Sequence, residues 1–246
     1  MNEPLAITNI IVIAITAFFS YRGFVNSFFL HQYIFSTRAI LDDKQYYRIL
    51  SSGALHADWV HLLFNMYSLY SFGSAVEFLF GPATFLAIYL AAIVGGGILA
   101  LLLHRNEDYH ALGASGGVCG VIFACIFLLP GTSVQLYFIP FPIPAYIYAI
   151  LFMLISFYGI RAQRGNIGHD AHLGGAIIGL VIATILKPSI VPQNPVLYPA
   201  VMLLAILLLI LLYLKPVGLR RPRHYPPVRW PFDLDWKDDN NDDRQN

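Results

Sequence analysis

Four polar side chains interrupt the apolar stretches of this chain, and their types would support acyl-transfer chemistry. His61 and Asn65 stand four residues apart in W-V-H-L-L-F-N, so a helix would place them on one face. Ser115 lies in G-A-S-G-G, and His172 lies in D-A-H-L-G-G. An imidazole can take the proton of a serine hydroxyl, while an amide and the N–H groups at a helix start can stabilise an oxyanion. The set predicts acyl transfer to serine followed by hydrolysis.

The composition places these side chains in a membrane. Of the 246 residues, 57% are hydrophobic and only 12% are charged, whereas a soluble domain has about 25% charged residues. This excludes a soluble globular enzyme, a disordered chain and a nucleic-acid-binding protein with a basic face, and it makes the lipid bilayer the first partner. The net charge of +1 indicates no other partner, and two cysteines in an apolar stretch predict neither a disulfide framework nor a zinc site.

Seven apolar stretches are candidate membrane-spanning helices, each of which needs about 20 mostly apolar residues. In chain order they are Leu5–Ser20, Trp59–Phe80, Thr84–His104, Ala114–Leu129, Pro144–Ile160, Ala171–Leu186 and Val196–Leu214. The N-terminal Met-Asn-Glu-Pro has no basic region, so we expect the first stretch to be retained rather than cleaved as a signal peptide. The fold class predicted is an all-α polytopic membrane protein.

The four polar residues fall in one layer of the bilayer in this arrangement. Two crossings separate the start of the second stretch from that of the fourth, and two more separate the fourth from the sixth, so all three stretches start on one side. At 1.5 Å per residue, the depths of the four side chains agree within roughly 10 Å. Because polar side chains are costly inside lipid, such a layer is a functional-site hypothesis.

Small-residue stripes accompany two of the four residues. Gly116-x-x-x-Gly120 follows Ser115, and Gly175-x-x-x-Gly179 follows His172. Stripes of this kind let two membrane helices approach closely. If the two stripes face each other, Ser115 and His172 come within hydrogen-bond reach. The run of glycines at 95–97 similarly predicts close helix packing or a kink.

The connecting segments differ in character. The long first loop, Tyr21–Asp58, is too polar to span and rich in aromatic residues, which predicts a segment lying in the headgroup region. Gly81-Pro82 predicts a tight turn, and Pro130–Pro144 predicts a short hydrophobic loop. The polar tail 216–246 is predicted to be disordered.

A longer ordered set of motifs surrounds the four residues. They are Tyr47-Arg48, His56 with His61 as H-x-x-x-x-H, H-x-x-x-N at His61–Asn65, Glu77, G-A-S-G at Gly113–Gly116 and A-H-x-x-G-x-x-x-G at Ala171–Gly179. Over roughly residues 40–187 the sequence therefore resembles the rhomboid family of intramembrane serine proteases. G-A-S-G alone is a weak signal, whereas the whole set, in order and on alternate helices, is highly specific.

The resemblance implies a six-helix catalytic core with a Ser–His dyad and no cofactor or metal. By it, Ser115 is the nucleophile, His172 is the general base, and His61, Asn65 and the Ser115 N–H form the oxyanion site. It also implies supporting roles, with Arg48, His56 and Glu77 bracing the first loop and Gly113, Gly116, Gly175 and Gly179 allowing close packing. Implied substrates are single-span transmembrane proteins, cut at a small residue where their helix unwinds easily.

Domain organisation follows from the same comparison. Residues 1–190 would form the rhomboid-like core with the first loop at 21–58, residues 191–215 an additional transmembrane helix, and residues 216–246 the tail. Two positions depart from the family pattern. Tyr47 replaces the usual Trp, and Cys119 stands where a Tyr commonly packs on the histidine ring, so His172 would be held by another aromatic residue or less firmly.

Other interpretations of these residues stay open. A catalytically silent rhomboid-like protein that binds client transmembrane helices is the main alternative, and a small transporter using the polar layer is another. Asp170 is disfavoured as a third catalytic residue because a residue two before the histidine on a helix points elsewhere. Zinc bound by His61, His169 and His172 is disfavoured because neither a carboxylate nor a thiol completes the set.

The chain is predicted to be an integral, multi-pass protein of the cell membrane. With seven crossings, every Lys and Arg except Lys187 falls on the active-site side, which favours a cytoplasmic site. Bacterial members of the family usually open their site outward, so both orientations and the oligomeric state stay open.

Overall fold

The computed structural model describes residues 6–131, 133–134, 141–162 and 168–214, and most of these are helical. The helices are α1 (Ile7–Val25), α2 (Ser27–Tyr33), α3 (Thr37–Leu41), α4 (Arg48–Ser51), α5 (Trp59–Ser68), α6 (Ser74–Phe80), α7 (Pro82–Leu103), α8 (Ser115–Leu128), α9 (Ala145–Ala162), α10 (His169–Leu186), α11 (Ile190–Gln193) and α12 (Leu197–Leu214). The strands are β1 (Phe35–Ser36), β2 (His110–Ala111), β3 (Ser133–Val134) and β4 (Ile143–Pro144), paired antiparallel as β1–β2 and β3–β4. The predicted tail at 216–246 and part of the Pro130–Pro144 loop lie outside the described residues.

The predicted class, an all-α polytopic membrane protein with a rhomboid-like core and an additional C-terminal helix, is confirmed. Four of the described helices, α1, α7, α10 and α12, are long and apolar enough to span a bilayer. Two further apolar helices, α8 and α9, are shorter. Each of the seven predicted stretches is helical over most of its length. The first helix runs on to Val25, beyond the predicted end at Ser20, and the basic Arg22 lies in its last turn, where a positive charge interacts favourably with the helix dipole.

The second predicted stretch contains a π-helical segment that sequence periodicity did not predict. Residues Leu69–Gly73 join α5 to α6 in this wider geometry. The buried side chain of Asn9 reaches the segment, donating to the Leu69 carbonyl at 2.9 Å and contacting Ser74 Oγ at 3.0 Å. A π turn leaves the regular helical hydrogen-bond pattern, and an amide from a neighbouring helix supplies a donor there.

Glu77 stabilises α1 rather than the first loop. Its carboxylate accepts the backbone N–H groups of Thr8 at 2.9 Å and of Asn9 at 2.6 Å. The first N–H groups of a helix have no partner within it, and a carboxylate there also interacts favourably with the helix dipole. The contacts of Glu77 are therefore structural and lie at the N-terminus of α1, whereas the sequence comparison expected this residue to brace the first loop.

The centre of the protein is a contact between the main chains of α7, α8 and α10. On α10, Gly174 faces α7, and a Cβ placed there would lie 2.9 Å from Gly96 Cα. The next residue, Gly175, faces α8, and a Cβ there would overlap the Gly116 carbonyl oxygen. Two consecutive glycines on α10 thus meet glycine on both neighbours, in agreement with the close packing predicted from the glycine stripes and the run at 95–97.

The short helix α8 is enclosed by the other elements. Every residue from Gly116 to Leu128 is buried, which explains why this helix is apolar on all sides. Its 14 residues correspond to about 21 Å at 1.5 Å per residue, less than the hydrocarbon thickness of about 30 Å. Ser115, at its first position, can therefore lie below the surface of the bilayer.

Adding a methyl group at the α8–α10 contact should separate the helices. In Gly175→Ala the new Cβ meets main-chain atoms of Gly116, which cannot move as a flexible side chain can. We expect a loss of about 2 kcal/mol or more in the free energy of unfolding, the cost typical of severe overpacking. Unfolding of the purified protein in detergent measures it.

Gly23→Ala in α1 is the matched control. There the added Cβ meets only the side-chain ends of Leu30 at 3.3 Å and Leu55 at 3.4 Å. Equal losses in the two variants would contradict the main-chain contact between α8 and α10.

Candidate active site

The loop before α8 positions Ser115 beside His61. Gly113 has φ 135°, a backbone conformation that side chains rarely permit. A Cβ on Gly113 would lie 2.9 Å from His61 Cε1, 3.0 Å from His61 Nε2 and 3.5 Å from Ser115 Oγ. Glycine is therefore required here both by conformation and by space. Because the His61 ring and Ser115 Oγ both lie within 3.5 Å of this Cβ position, the two side chains are neighbours.

The start of α5 is organised by Asp58 and Asn65. The Asp58 carboxylate caps the helix by accepting the His61 N–H at 2.8 Å. Asn65 is buried, and its Nδ2 donates to the His61 carbonyl at 3.0 Å. A side-chain amide has two N–H donors, so one of them is committed to the helix and the second can serve a ligand.

His172 lies in the first turn of α10, where this helix meets α8. The backbone N–H of His172 donates to the Gly168 carbonyl at 3.1 Å. The carbonyl oxygen of the preceding residue, Ala171, lies 3.2 Å from the position that a Cβ on Gly116 would occupy. The contact between the two helices thus involves the residue after Ser115 and the residue before His172. The structure brings the two predicted dyad members to the same end of one helix pair.

An aromatic residue of α9 packs near His172. The Phe152 ring lies 6.2 Å from the His172 ring between centroids, with a tilt of 31°. Phe152 is itself held by Tyr148 at 5.9 Å and by Phe123 at 5.4 Å. Cys119 in α8 replaces the Tyr that commonly packs on this histidine ring, and Phe152 is the aromatic residue found near the ring instead. Sequence reasoning missed Phe152 because only the fold shows which of the many aromatic residues of α9 faces α10.

His56 joins α1 to the backbone just before Ser115. Its Nδ1 lies 2.9 Å from Ser20 Oγ, which in turn donates to the Ala54 carbonyl, and its Nε2 accepts the Ala114 N–H at 3.4 Å. Its ring also meets the His61 ring edge-on, 4.8 Å away. Burial, and secondarily the neighbouring His61, lower the pKa of His56 to about 3. The ring is therefore neutral. This agrees with the hydrogen bond from Ala114, because a protonated imidazole has no nitrogen left to accept one.

Arg48 braces the first loop from inside. Its guanidinium donates to the carbonyl groups of His31 and Ile34, both at 2.8 Å, and to Gln45 Oε1 at 2.6 Å. The side chain is buried, and three oxygen acceptors compensate for the lost hydration of its charge. Tyr47, beside it, donates through its hydroxyl to the Gln32 carbonyl at 3.2 Å.

Asp170 and His169 make contacts away from the proposed dyad. Asp170 Oδ1 accepts the Tyr109 hydroxyl and Oδ2 faces His104, both at 3.2 Å, so this carboxylate is directed at the α7–α8 loop. His169 packs against Gly159 of α9. Within the described ranges, His, Cys, Asp and Glu side chains form no group of three that could hold a metal ion.

Comparisons with known proteins agree with this geometry. A family model described as "Rhomboid domain" matches residues 43–189, which is more than half of the chain. The chain belongs to the rhomboid family. The match includes every residue assigned above to the candidate site and its supports, and it ends before α12.

Three rhomboid relatives are similar over most of this chain. RHOMBOID-like protein 12, mitochondrial, of Arabidopsis thaliana is 27% identical over 74% of this chain and 58% of its own length. Rhomboid protein 1, mitochondrial, of Saccharomyces cerevisiae is 25% identical over 68% of this chain and 49% of its own length. Rhomboid protease GluP of Bacillus subtilis is 31% identical over 76% of this chain and 34% of its own length. The chain therefore spans between about a third and three fifths of these relatives.

The neutral state of His56 makes the stability of the site dependent on pH. Unfolding returns its pKa from about 3 to the ordinary 6.5, so the unfolded chain binds the extra proton first as pH falls. The stabilising contribution is present above pH 6.5 and decreases as pH falls toward 3, by up to about 1.4 kcal/mol per pH unit. We expect His56→Gln to reduce the difference in unfolding free energy between pH 7 and pH 5.

The control is His31→Gln, the same substitution at an exposed histidine whose side chain lies outside the core. It should leave the pH dependence of the unfolding free energy unchanged. Unfolding of both variants is followed at the two pH values. A pH dependence in His56→Gln as steep as that of the unmodified protein would show that His56 is not the responsible group.

Proposed function

We propose that this rhomboid-family chain is an intramembrane serine endopeptidase in which Ser115 and His172 form the catalytic dyad. The observation that carries the proposal is the helix contact next to both residues, where Gly116 of α8 meets Ala171 of α10. It is supported by the His61 ring beside Ser115 Oγ and by the name of the relative GluP, a rhomboid protease.

The reaction would proceed in two displacement steps. Ser115 Oγ attacks the scissile carbonyl carbon while its proton passes to the His172 ring, and the carbonyl oxygen becomes an oxyanion. Collapse of this intermediate breaks the C–N bond, and His172 gives the proton to the departing amine. Water then attacks the acyl-serine, again losing a proton to His172. Release of the carboxyl product returns the proton to Ser115.

The oxyanion would be stabilised by groups at the starts of two helices. As the first residue of α8, Ser115 has an N–H that no turn of this helix can satisfy, and the helix dipole adds positive potential there. His61, beside Ser115 Oγ, and the second N–H of the Asn65 amide complete the proposed oxyanion site. Such donors commonly contribute about 3 to 4 kcal/mol each to transition-state stabilisation.

A transmembrane segment of another protein would be the substrate. A helical substrate hides its carbonyl groups in its own hydrogen bonds, so it must unwind before Ser115 can attack. The dyad lies at helix starts next to the α7–α8 loop, and Ser115 is partly exposed. Water and an unwound segment can therefore both reach it. Single-span substrates, cut near a small residue, remain the specific proposal.

The protein is a multi-pass membrane protein, and its particular membrane remains a prediction. The printed names of two relatives place them in mitochondria, whereas GluP is a protein of Bacillus subtilis. The cell membrane is our proposal from the sequence. The division into a core at 1–190 and an added helix at 191–215 is likewise proposed, with α12 as the part of the latter that the structure describes.

Loss of either dyad member should abolish proteolysis. We expect Ser115→Ala and His172→Ala each to reduce cleavage of a model single-span substrate by about 1,000-fold or more, because the two groups act as one unit. Cleavage in proteoliposomes gives the rate. A fluorophosphonate probe should label the unmodified protein and leave Ser115→Ala unlabelled.

Two variants of matched chemistry serve as controls. Ser71→Ala removes an exposed hydroxyl that donates to its own helix at Tyr67, and His31→Ala removes an exposed imidazole. Both should retain cleavage and labelling. Cleavage that persists in Ser115→Ala would defeat the mechanism, and a folded protein that neither cleaves nor reacts with the probe would instead support the silent, client-binding alternative.

A further inference from the structure

A buried cluster of ionisable side chains lies beside the candidate site without belonging to the dyad. Asp170, two residues before His172, is only 3% exposed. Its Oδ2 lies 3.2 Å from His104 Nε2, and its Oδ1 accepts the Tyr109 hydroxyl at 3.2 Å. His104 Nδ1 in turn lies 2.9 Å from Glu107 Oε2. We call these four residues the Asp170 cluster.

Within the cluster, His104 has little freedom. Its ring stacks on the Tyr109 ring with centroids 4.0 Å apart and an angle of 6° between planes. Both ring nitrogens face a carboxylate, one from the α7–α8 loop and one from α10. The ring is hydrogen-bonded to Glu107 at Nδ1, approaches Asp170 at Nε2 and is covered on one face by Tyr109, so it is restrained on three sides and links the elements that contribute to the cluster.

The Asp170 cluster connects the segments that carry the proposed nucleophile and base. His104 ends α7, Tyr109 lies six residues before Ser115, and Asp170 lies in the same first turn as His172. The loop is also anchored to Thr37, whose Oγ1 accepts the Tyr109 N–H at 3.1 Å. The cluster is thus a direct side-chain link between the approach to Ser115 and the turn that holds His172.

Stability alone is a poor explanation for such a cluster. Desolvation of a buried ion pair commonly cancels most of its attraction, and apolar residues of the same volume often stabilise as well. Loss of one member of a buried pair is nevertheless costly, because the remaining charge has fewer partners to compensate for its lost hydration. Groups of this kind are therefore better suited to fixing geometry than to adding stability.

We propose that Asp170 is a positioning residue, held by His104 and Tyr109, that sets the first turn of α10 so that His172 is aligned with Ser115. The inference rests on the proposed function, because alignment matters only if the two residues act together. It assigns Asp170 no contact with the substrate and no proton transfer.

The charge state of His104 gives the cluster a dependence on pH. Burial opposes the charged ring, but Asp170 and Glu107 outweigh it and raise the pKa of His104 above its ordinary 6.5. Among the described residues the groups facing this ring are Asp170 from α10 and Glu107 and Tyr109 from the loop. The ion pair is complete at and below pH 6.5 and is lost as pH rises through the raised pKa of His104.

The test compares two single variants with their combination, using the full-length protein. In Asp170→Asn, His104 keeps only Glu107 as its carboxylate partner, and in His104→Gln the buried Asp170 carboxylate loses its cationic partner. We expect each change to lower kcat for the model substrate by about 10- to 100-fold, the cost of a misaligned dyad, with KM within about twofold. The double variant Asp170→Asn/His104→Gln has two neutral groups and should be more active than either single variant. Asp108→Asn makes the same change at an exposed carboxylate of the α7–α8 loop and should leave kcat and KM unchanged.

Fluorophosphonate labelling separates positioning from folding. If the cluster positions His172, the variants label to the same extent as the unmodified protein but with a lower rate constant. In the unmodified protein kcat should then decline as pH rises through the pKa of His104, and this decline should be absent from His104→Gln. If the cluster only stabilises, the extent of labelling falls while the rate constant is unchanged, and the inference is wrong. Additive losses in the double variant would also overturn it. Failure of the unmodified protein to label would overturn the proposed function itself.

Discussion

The arrangement of this protein depends on one contact in which main-chain atoms of three helices approach one another closely. Gly174 and Gly175 are consecutive on α10, so they face different neighbours, one toward α7 and the other toward α8. Dispersion and weak main-chain contacts drive association in lipid, and they act only at short range. Because the contact is made by backbone atoms, the positions of the residues next to it, Ser115 and His172, are set by helix geometry.

Polar groups in this chain satisfy main-chain atoms at the ends of helices. Glu77 accepts the first N–H groups of α1, and Arg48 donates to loop carbonyl groups. His56 accepts the N–H of Ala114, at the start of α8. Backbone groups without partners are costly in an apolar environment, and helix ends are where they occur. The concentration of polar residues near the candidate site therefore has two physical sources, the chemistry proposed for the site and the hydrogen bonds that helix ends need.

The sequence predicts the parts of this structure that are periodic or local. Hydropathy indicates the seven helical stretches, and the spacing of glycine residues predicts the contact of α8 with α10. The contact of Asn9 with the π segment, the link from Glu77 to α1 and the contacts of Asp170 with the α7–α8 loop were not predicted, because each joins residues about 60 or more positions apart. Phe152 was missed for a different reason, because the packing of α9 against α10 decides which aromatic ring of α9 lies near His172. The helical angle between positions 170 and 172 was enough to disfavour Asp170 as a third catalytic residue.

A smooth glycine contact and a buried charged cluster restrain different degrees of freedom. Helix surfaces made of glycine allow two helices to approach closely. They carry few side chains that could interlock and oppose rotation of one helix about its own axis. A rotation of α10 moves the His172 ring while the separation of the helix axes stays the same. The side chain of Asp170 extends from the same turn to His104 and Tyr109, outside the glycine contact, and so opposes that rotation. Close approach and correct orientation of the proposed dyad thus have separate physical causes, one in the main chain and one in a set of charges.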